Sequence, residues 1–337
     1  MSGRATIGFL TVGLAVAVLL YVRIGVTPVA AAFAQLRVGE LAGYLVLATA
    51  IRVAYGLRWH GIARHLGAVP PATTLVTARL AGDAVGTLLP VGRLGGDPLR
   101  IGLLYRAGVD GARASAGVVM DRILEVLGNS VAASVYVCVF ILTWASLTRR
   151  DGAGMLAALV LGAVGLIALM ALWRLGRRPL HNVGRAVGME RRLHTARWLH
   201  ALWRTEATLG RFCRDHPAAA SWGLVASLLI EAVSVLEHLV LFRSFGVSLS
   251  LPTVLAVVMS SGFARVVPVP AGLGALEASQ VAVLTLTSGR PDIGLVVGTL
   301  LRLHETLWIA VGLGALAAQG ISPARVRLLS WAPRAST

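Results

Sequence analysis

The chain reads LLPVGRLGGDPLR from residue 88 to residue 100, between two strongly apolar segments. This stretch holds two prolines, three glycines, one aspartate and two arginines. Proline removes a backbone hydrogen-bond donor and glycine loosens a helix, so a plain membrane helix would not carry this sequence. Irregular backbone is tolerated at membrane depth only where it is buried in protein or lines a wet cavity. The stretch therefore predicts a broken element with a functional role.

The same pattern occurs a second time, 180 residues further along the chain. Without any gap, this offset joins Pro90 to Pro270, Gly92 to Gly272, Asp97 to Glu277, Arg122 to Arg302 and Glu125 to Glu305. The remaining glycines of the two predicted turns are Gly95, Gly96 and Gly274. Because an apolar background does not produce matches at proline, arginine and glutamate, we interpret the two copies as an internal repeat.

The composition sets the class of protein. The chain is 56% hydrophobic and 14% charged, with a mean hydropathy of +0.77, which is typical of an all-α polytopic membrane protein. The net charge of +16 comes from arginine, since the sequence has no lysine. The arginines lie between apolar runs, which favours the cytoplasmic face and anionic lipid over nucleic acid. A Walker A loop for ATP binding needs a lysine, so this chain has none. Cys138 and Cys213 indicate neither a disulfide framework nor a metal site. We therefore expect no cofactor.

We predict one integral membrane domain, residues 1–337, with about six spanning helices and two re-entrant helical hairpins. The predicted spans are residues 7–22, 40–59, 113–147, 154–173, 218–242 and 293–319, with a turn at 149–152. The first repeat, 40–147, contains the broken element 73–105, and the second repeat, 218–319, contains the broken element 253–286. For the first apolar run the alternative is a signal peptide cleaved near residues 32–34, and for each hairpin it is a single kinked span.

Charge placement predicts how these elements are oriented. Arg58, His60, Arg64 and His65 form a basic edge of the second span, which indicates the cytoplasmic side, and both termini are predicted there too. Three spans separate the hairpins, so the hairpins would open to opposite sides, as in transporters built on an inverted repeat. Residues 174–215 contain ten arginines and three acids. There we predict a cytoplasmic loop whose amphipathic helix lies on anionic lipid through Trp198, Leu202, Leu209 and Phe212.

Charged side chains inside the spans are the candidate site residues. The candidates for substrate binding are Arg79, Asp83, Asp97, Arg100, Asp121, Arg122, Glu125, Arg265, Glu277, Arg302 and Glu305. Helix N-termini at the hairpin tips and the arginines would hold an anionic headgroup between them. The alternative is that these residues form buried ion pairs that only lock helices together. A separate set is a candidate for proton coupling: Glu231, Glu237, His238 and His304.

The two motifs together resemble a known family. Leu89-Pro90, Gly95-Gly96-Asp97-Pro98-Leu99-Arg100 and Asp121-Arg122, with the later PAGLGALE at 270–277 and Arg302, are similar to the lysylphosphatidylglycerol synthase transmembrane-region family. Two departures are mild: Asp97 stands where glutamate is commoner, and Ala271 where glycine is usual. The resemblance implies a bacterial inner-membrane protein that moves a lipid between leaflets. It implies no synthase activity, because aminoacyl transfer belongs to a separate soluble domain.

Three functions from different classes remain at this stage. A lipid flippase, with membrane lipids as its partners, predicts a polar path between the hairpins. A membrane-embedded enzyme needs a nucleophile, a metal set or an acid–base pair, and the sequence has no His-Glu-x-x-His, no Gly-x-Ser-x-Gly and no cysteine cluster. A non-transporting partner of a lipid-biosynthesis enzyme is favoured only by the arginine-rich loop. We expect the flippase.

Overall fold

The computed structural model describes residues 3–67, 70–89, 95–187, 197–265, 267 and 269–320, and its regular elements there are helices. A short 3₁₀ turn at Pro270–Gly272 accompanies thirteen α-helices in these ranges. The helices are α1 Gly3–Ile24, α2 Thr27–Ala34, α3 Val38–His65, α4 Ala72–Leu88, α5 Asp97–Arg106, α6 Gly111–Thr143, α7 Ala145–Arg174, α8 Pro179–Ala186, α9 Arg197–Asp215, α10 Pro217–Ser244, α11 Leu251–Ala264, α12 Ala275–Ser288 and α13 Pro291–Ala318.

Five helices in the described ranges are long and apolar enough to cross a membrane, namely α3, α6, α7 from Gly154 onward, α10 and α13. The bent pair of α1 and α2 makes a sixth if it counts as one span. The chain turns by 81° between these two helices, and Gly25 at the bend has a φ of 91°, which glycine adopts without steric cost. These helices confirm a multi-pass helical membrane protein.

The predicted turn at 149–152 was wrong. The break lies instead at Trp144, between the end of α6 at Thr143 and the start of α7 at Ala145. Trp144 leaves the helical region with φ −121° and ψ 44°. The sequence Arg-Arg-Asp-Gly at 149–152 predicts a turn between two apolar runs, but α7 continues through it. Arginine is a good helix former and does not end a helix by itself.

Both broken elements are interrupted near the motifs. The helix α4 ends at Leu88 and α5 begins at Asp97, whereas α11 ends at Ala264 and α12 begins at Ala275. Proline suits the first turn of a helix and aspartate is a common N-cap, so the sequence predicts a helix with Asp97 as its N-cap and Pro98 in its first turn. Pro98 does lie in the first turn of α5, but the N-cap is Gly96. The reason is that the Asp97 carboxylate pairs with two arginines. The predicted turn residues Pro90 and Gly92 lie outside the described residues.

Small residues set how closely the central helices approach. The helices α3 and α10 pack along each other through Ile51, Tyr55 and Ile230. The helix α4 packs against α13, where Gly312 leaves no space for a side chain next to the carbonyl of Leu80 and the Cβ of Ala84. On the other side of the molecule, α11 packs against α6. Glycine is required at position 312 by this close approach.

The helix α9 packs on protein through its apolar face. Leu209 and Phe212 are buried in a core formed with α6, α7 and α10, so these two side chains contact protein rather than the lipid predicted for them. Leu202 stays exposed, and the Trp198 side chain is outside the described set. Cys213 lies in the same core, where burial raises the pKa of its thiol to about 11.

Glu206 holds α8 and α9 together, and its loss is expected to open this region. Its carboxylate accepts the backbone N–H groups of Leu180 at 2.7 Å and His181 at 2.8 Å, together with the indole N–H of Trp173 at 3.3 Å. In Glu206→Ala the three donors lose their acceptor, and the loss is expected to cost about 1–3 kcal/mol at Trp173, whose side chain is buried. We expect trypsin to cut after Arg177 or Arg185 several times faster.

Limited proteolysis of the purified protein, followed by mass spectrometry, measures this change. The matched control is Asp215→Ala, because Asp215 is exposed at the end of the same helix. Equal cleavage rates in the two variants would contradict the role given to Glu206.

Candidate functional site

A cluster of four arginines and four carboxylates lies between α3, α4, α5 and α6. This first cluster consists of Arg58, Arg79, Arg100, Arg122, Asp83, Asp97, Asp121 and Glu125. Asp121 is at its centre, fully buried, and accepts hydrogen bonds from Arg58 at 2.8 Å, Arg79 at 2.5 Å and Arg100 at 2.6 Å. One carboxylate thus joins three helices to α6.

The second carboxylate of α6 extends the cluster. Glu125 accepts from Arg79 at 2.6 Å and from Arg122 at 3.1 Å. Arg122 and Glu125 are three residues apart, a spacing that predicts pairing on one helix face, and the structure confirms it. Arg79 also donates to Asp83 at 2.8 Å, one turn away. Charge-assisted hydrogen bonds of this kind are the interactions that keep arginines at membrane depth.

Aromatic rings cover the guanidinium groups on their other side. Arg100 lies over the Trp59 ring at 4.2 Å, and Arg79 and Arg58 lie over the Tyr55 ring at 4.7 Å and 5.2 Å. A cation over a ring face recovers part of the solvation that burial removes. The sequence analysis placed Arg58 at a cytoplasmic edge, but α3 continues to His65 and Arg58 is 6% exposed. That placement was wrong because the span is longer than predicted.

A second cluster surrounds Arg302 on α13. This second cluster consists of Arg265, Glu277, Arg302 and Glu305. Arg302 donates to Glu277 at 2.8 Å and to Glu305 at 3.0 Å, and it also donates to the carbonyls of Ala271 and Gly272. The guanidinium group therefore fixes the turn before α12 as well as the carboxylates.

The backbone of this turn is unusual. Ala271 has a φ of 54°, in the left-handed region that favours glycine. Glu277 closes the turn from the other side by accepting the backbone N–H of Gly274 at 3.0 Å. Gly274 also lies against Gly13 of α1, so the first helix packs directly on the turn. Hydrogen bonds to Arg302 and Glu277 thus stabilise a conformation that alanine alone would not prefer.

The two clusters repeat one set of contacts. Arg122 binds Asp97 through Nε and Nη2, at 3.2 Å and 2.7 Å. Arg302 binds Glu277 through the same two atoms, at 2.8 Å and 3.1 Å. Each arginine also pairs with the glutamate three residues further along its helix. The residues that the 180-residue offset relates therefore make corresponding contacts, each within its own cluster.

A cavity of about 350 Å³ lies between α3, α6, α10 and α11, and both apolar and polar side chains line it. Its polar lining includes Arg52, Tyr55, Asn129, Tyr136, Glu231, Ser234, Glu237, His238, Ser261, Arg265 and His304. Tyr55 donates to Glu231 at 3.4 Å. With its amide nitrogen turned toward acceptors, Asn129 donates to Glu231 at 2.8 Å and to the carbonyl of Glu125 at 2.9 Å, so the cavity wall is connected to the first cluster.

A smaller cavity of about 50 Å³ lies between α3, α4 and α13. Asp83, Thr87, Glu305 and Trp308 contribute to its lining. Four residues line both cavities and separate them, namely Arg52, Tyr55, Arg265 and His304. We call this group the junction. The two cavities are therefore neighbours on opposite sides of one layer of side chains.

His304 is the centre of the junction. Its Nδ1 lies 2.6 Å from the Tyr44 hydroxyl and 3.5 Å from a Glu237 carboxylate oxygen, and its Nε2 lies 3.0 Å from Nη2 of Arg52. Because a guanidinium group only donates, Nε2 is the acceptor and the ring proton is on Nδ1. The histidine thus connects a cation on α3 to a carboxylate on α10.

The predicted site residues therefore separate into groups. Arg79, Arg100 and Asp121 are buried inside the first cluster, whereas Asp83 and Glu305 reach the smaller cavity and Arg265 reaches both. The set predicted for proton coupling, Glu231, Glu237, His238 and His304, lines the larger cavity. The sequence analysis missed Arg52, Tyr55, Asn129 and Tyr44. For Arg52 there was a signal, because a charged residue inside an apolar span is functional by default.

Comparison with known proteins gives two matches. The family described as the lysylphosphatidylglycerol synthase TM region matches residues 7–314, which include both clusters and both cavities. A UPF0104 membrane protein of Methanothermobacter thermautotrophicus is 23% identical over 289 residues, covering 81% of this chain and 82% of that protein.

Proposed function

The chain belongs to the lysylphosphatidylglycerol synthase transmembrane-region family, as its two motifs predicted, and from this premise we propose that it moves an amphipathic lipid between the two leaflets of a membrane. The observation that carries the proposal is the cavity of about 350 Å³, lined in part by charged and polar side chains, inside an apolar helical protein. A charged headgroup does not cross hydrocarbon unaided, because its desolvation is prohibitive. A polar interior shelters the headgroup while the acyl chains stay in lipid.

The proposal includes an inverted repeat with two oppositely oriented hairpins, α4–α5 and α11–α12. In support, α3 to α6 begin at residues 38, 72, 97 and 111, and α10 to α13 begin at residues 217, 251, 275 and 291. The helix contacts also exchange as a two-fold relation requires, since α4 packs on α13 whereas α11 packs on α6. In transporters with this design the substrate site lies at the repeat interface.

The two cavities fit this relation as equivalent sites in different states. The helices α3, α4 and α13 enclose the smaller cavity. Under the proposed repeat they correspond to α10, α11 and α6, which line the larger cavity. One side is expanded and the other is closed by the contact of Gly312 with α4. We propose that the states interchange during transport, so that the headgroup site is accessible from one leaflet at a time.

The remaining parts of the proposal concern location and chemistry. We place the protein in a bacterial inner membrane with both termini and the arginine-rich segment 174–215 on the cytoplasmic side, by the positive-inside rule. The proposal assigns no catalytic role to the chain. The carboxylates of both clusters already accept hydrogen bonds from arginines, which leaves them positioned for structure and binding.

Leaflet exchange in liposomes tests the function. Purified protein is expected to accelerate exchange of a headgroup-labelled anionic lipid. Arg122→Ala and Arg302→Ala are each expected to slow it about tenfold or more, because each removes a bidentate contact that holds a hairpin. Arg243→Ala is the matched control, since Arg243 is exposed at the end of α10.

The result that would overturn the function is equally direct. If no exchange occurs with anionic, zwitterionic and polyprenyl lipids, with and without a proton gradient, autonomous transport is wrong. Each variant is used only after its size-exclusion elution profile shows that it is folded.

A further inference from the structure

We propose that Glu237 is a proton-binding site, and that its charge couples the interchange of the two cavity states to a proton gradient. This inference rests on the proposed transport function and gives it an energy source. It selects one residue from the four that the sequence predicted for proton coupling. The selection depends on which of them has hydrogen-bond partners.

Glu237 is buried with one carboxylate oxygen that has no hydrogen-bond donor. The residue lies on α10, is 2% exposed and lines the larger cavity. In the part of the chain that the structure describes, its Oε1 atom accepts no hydrogen bond, and Nδ1 of His304 is 3.5 Å away. An ionised carboxylate that is buried without donors is costly, whereas its protonated form is neutral. A bound proton therefore stabilises this group.

The neighbouring candidates have partners that favour one protonation state. Glu231 accepts from the amide of Asn129 at 2.8 Å, which compensates its negative charge. His238 donates through Nδ1 to the carbonyl of Ser234 at 2.6 Å, which fixes the ring proton on that nitrogen. Among these groups, Glu237 is the one that is suited to exchange a proton.

The charges that face Glu237 oppose one another. Arg52 on α3 and Arg265 after α11 favour the ionised form, whereas Glu231 on the same helix favours the protonated form. Burial also favours the protonated form, so the two states of Glu237 are both accessible. The other titratable groups around it are Tyr44 and Tyr55 on α3, Tyr136 on α6, His238 on α10 and His304 on α13.

His304 transmits the charge of Glu237 to the junction. Its Nδ1–H lies beside Glu237, and its Nε2 accepts from Arg52 at 3.0 Å. An ionised Glu237 attracts this N–H, whereas a protonated one does so only weakly. Because His304 and Arg52 line both cavities, a displacement of the ring moves the layer that separates them.

The proton itself is exchanged with water. A cavity of about 350 Å³ has room for water, which occupies about 30 Å³ per molecule in the liquid. The proton passes from water in the larger cavity to the carboxylate of Glu237. After the states interchange, the carboxylic acid returns it to water on the other side, so one proton crosses the membrane in each cycle.

Infrared spectroscopy of the full chain in liposomes tests the proton site. A protonated carboxylic acid has a C=O stretching band that the ionised form lacks. We expect such a band to decrease between about pH 5 and about pH 9, because buried glutamates can titrate that high. The band should be absent in Glu237→Gln and shifted in Glu237→Asp. It should remain in Glu231→Gln, the matched control, since Glu231 lines the same cavity.

Lipid exchange under a pH gradient tests the coupling. For one coupled proton, a difference of one pH unit changes the balance of two states by up to about tenfold. We expect net movement of the headgroup-labelled anionic lipid to follow the gradient in the wild type, and to be the same with and without it in Glu237→Gln. Glutamine resembles the protonated acid in shape and charge, so this variant should fold. Glu237→Asp should keep part of the response.

The outcomes separate the site, the coupling and the proposed function. A wild type without the band, or a band that persists in Glu237→Gln, would overturn the proton site. A response to the gradient that Glu237→Gln retains in full would overturn the coupling. A wild type that shows the band but exchanges no lipid under any gradient supports the proton site and contradicts the proposed function, together with the coupling that rests on it.

Discussion

Replacing Asp121 by asparagine is expected to lower the free energy of unfolding by about 3–5 kcal/mol, the range for breaking a buried ion pair. The carboxylate is fully buried and accepts from arginines on α3, α4 and α5. The asparagine amide keeps the shape but removes the negative charge at the centre of three guanidinium groups. Glu125, Asp83 and Asp97 then compensate the repulsion of these arginines only in part, in a medium of low dielectric constant, so the packing of these helices on α6 should loosen.

Chemical denaturation in mild detergent measures this loss as a shift of the unfolding midpoint. Glu40→Gln is the matched control, because Glu40 pairs with Arg37 at 3.0 Å but both side chains are well exposed. Ion pairs at the surface contribute little, so this variant should unfold close to the wild type. Equal midpoints for Asp121→Asn and Glu40→Gln would show that the first cluster does not stabilise the fold.

A disulfide between α4 and α13 is expected to stop lipid exchange completely and reversibly. A Cβ atom built on Gly312 lies 2.6 Å from the Cβ of Ala84 and also meets the carbonyl oxygen of Leu80. Cysteines at both positions therefore require α4 and α13 to move apart by about 1 Å, which brings their Cβ atoms to the spacing of about 3.8 Å found in disulfides. In Ala84→Cys/Gly312→Cys, oxidation would hold the smaller cavity closed and prevent the opposite state. Reduction would release it, and the reduced double variant gives the reference rate.

The two native cysteines, Cys138 and Cys213, must not interfere with the engineered cross-link. Cys138 is exposed and is replaced by serine, whereas Cys213 is buried and its thiol pKa is raised to about 11 by burial, so it reacts slowly at neutral pH. The single variant Ala84→Cys, treated with the same oxidant, shows any damage unrelated to the cross-link. Unchanged exchange in protein that mass spectrometry shows to be fully cross-linked would contradict alternation between the two cavities.

The sequence predicted what local chemistry decides. Pro98 and the glycines near it placed the first break, and the i, i+3 spacing of Arg122 and Glu125 predicted their contact on one helix face. The match at 180 residues paired Arg122 with Arg302, and the structure gives these two arginines corresponding partners. Such features depend on a few neighbouring residues, so they can be inferred before any tertiary structure is known.

Contacts between distant segments could not be predicted in this way. The hydrogen bond of Tyr44 to His304 joins residues 260 positions apart, and that of Arg58 to Asp121 joins residues 63 positions apart. Nothing in the local sequence of Arg58 distinguishes a basic membrane edge from a buried partner of a carboxylate. The choice depends on where α3 ends and on which helix packs beside it, which only the assembled helices decide.

The composition of the first cluster has an electrical consequence. The four arginines and four carboxylates that form it among the described residues carry formal charges that sum to zero. Moving one elementary charge through a membrane potential of 100 mV changes the energy by about 2.3 kcal/mol, but a neutral group displaced as a unit experiences almost no net force. The membrane voltage therefore does little work on this cluster, however far the helices that hold it move.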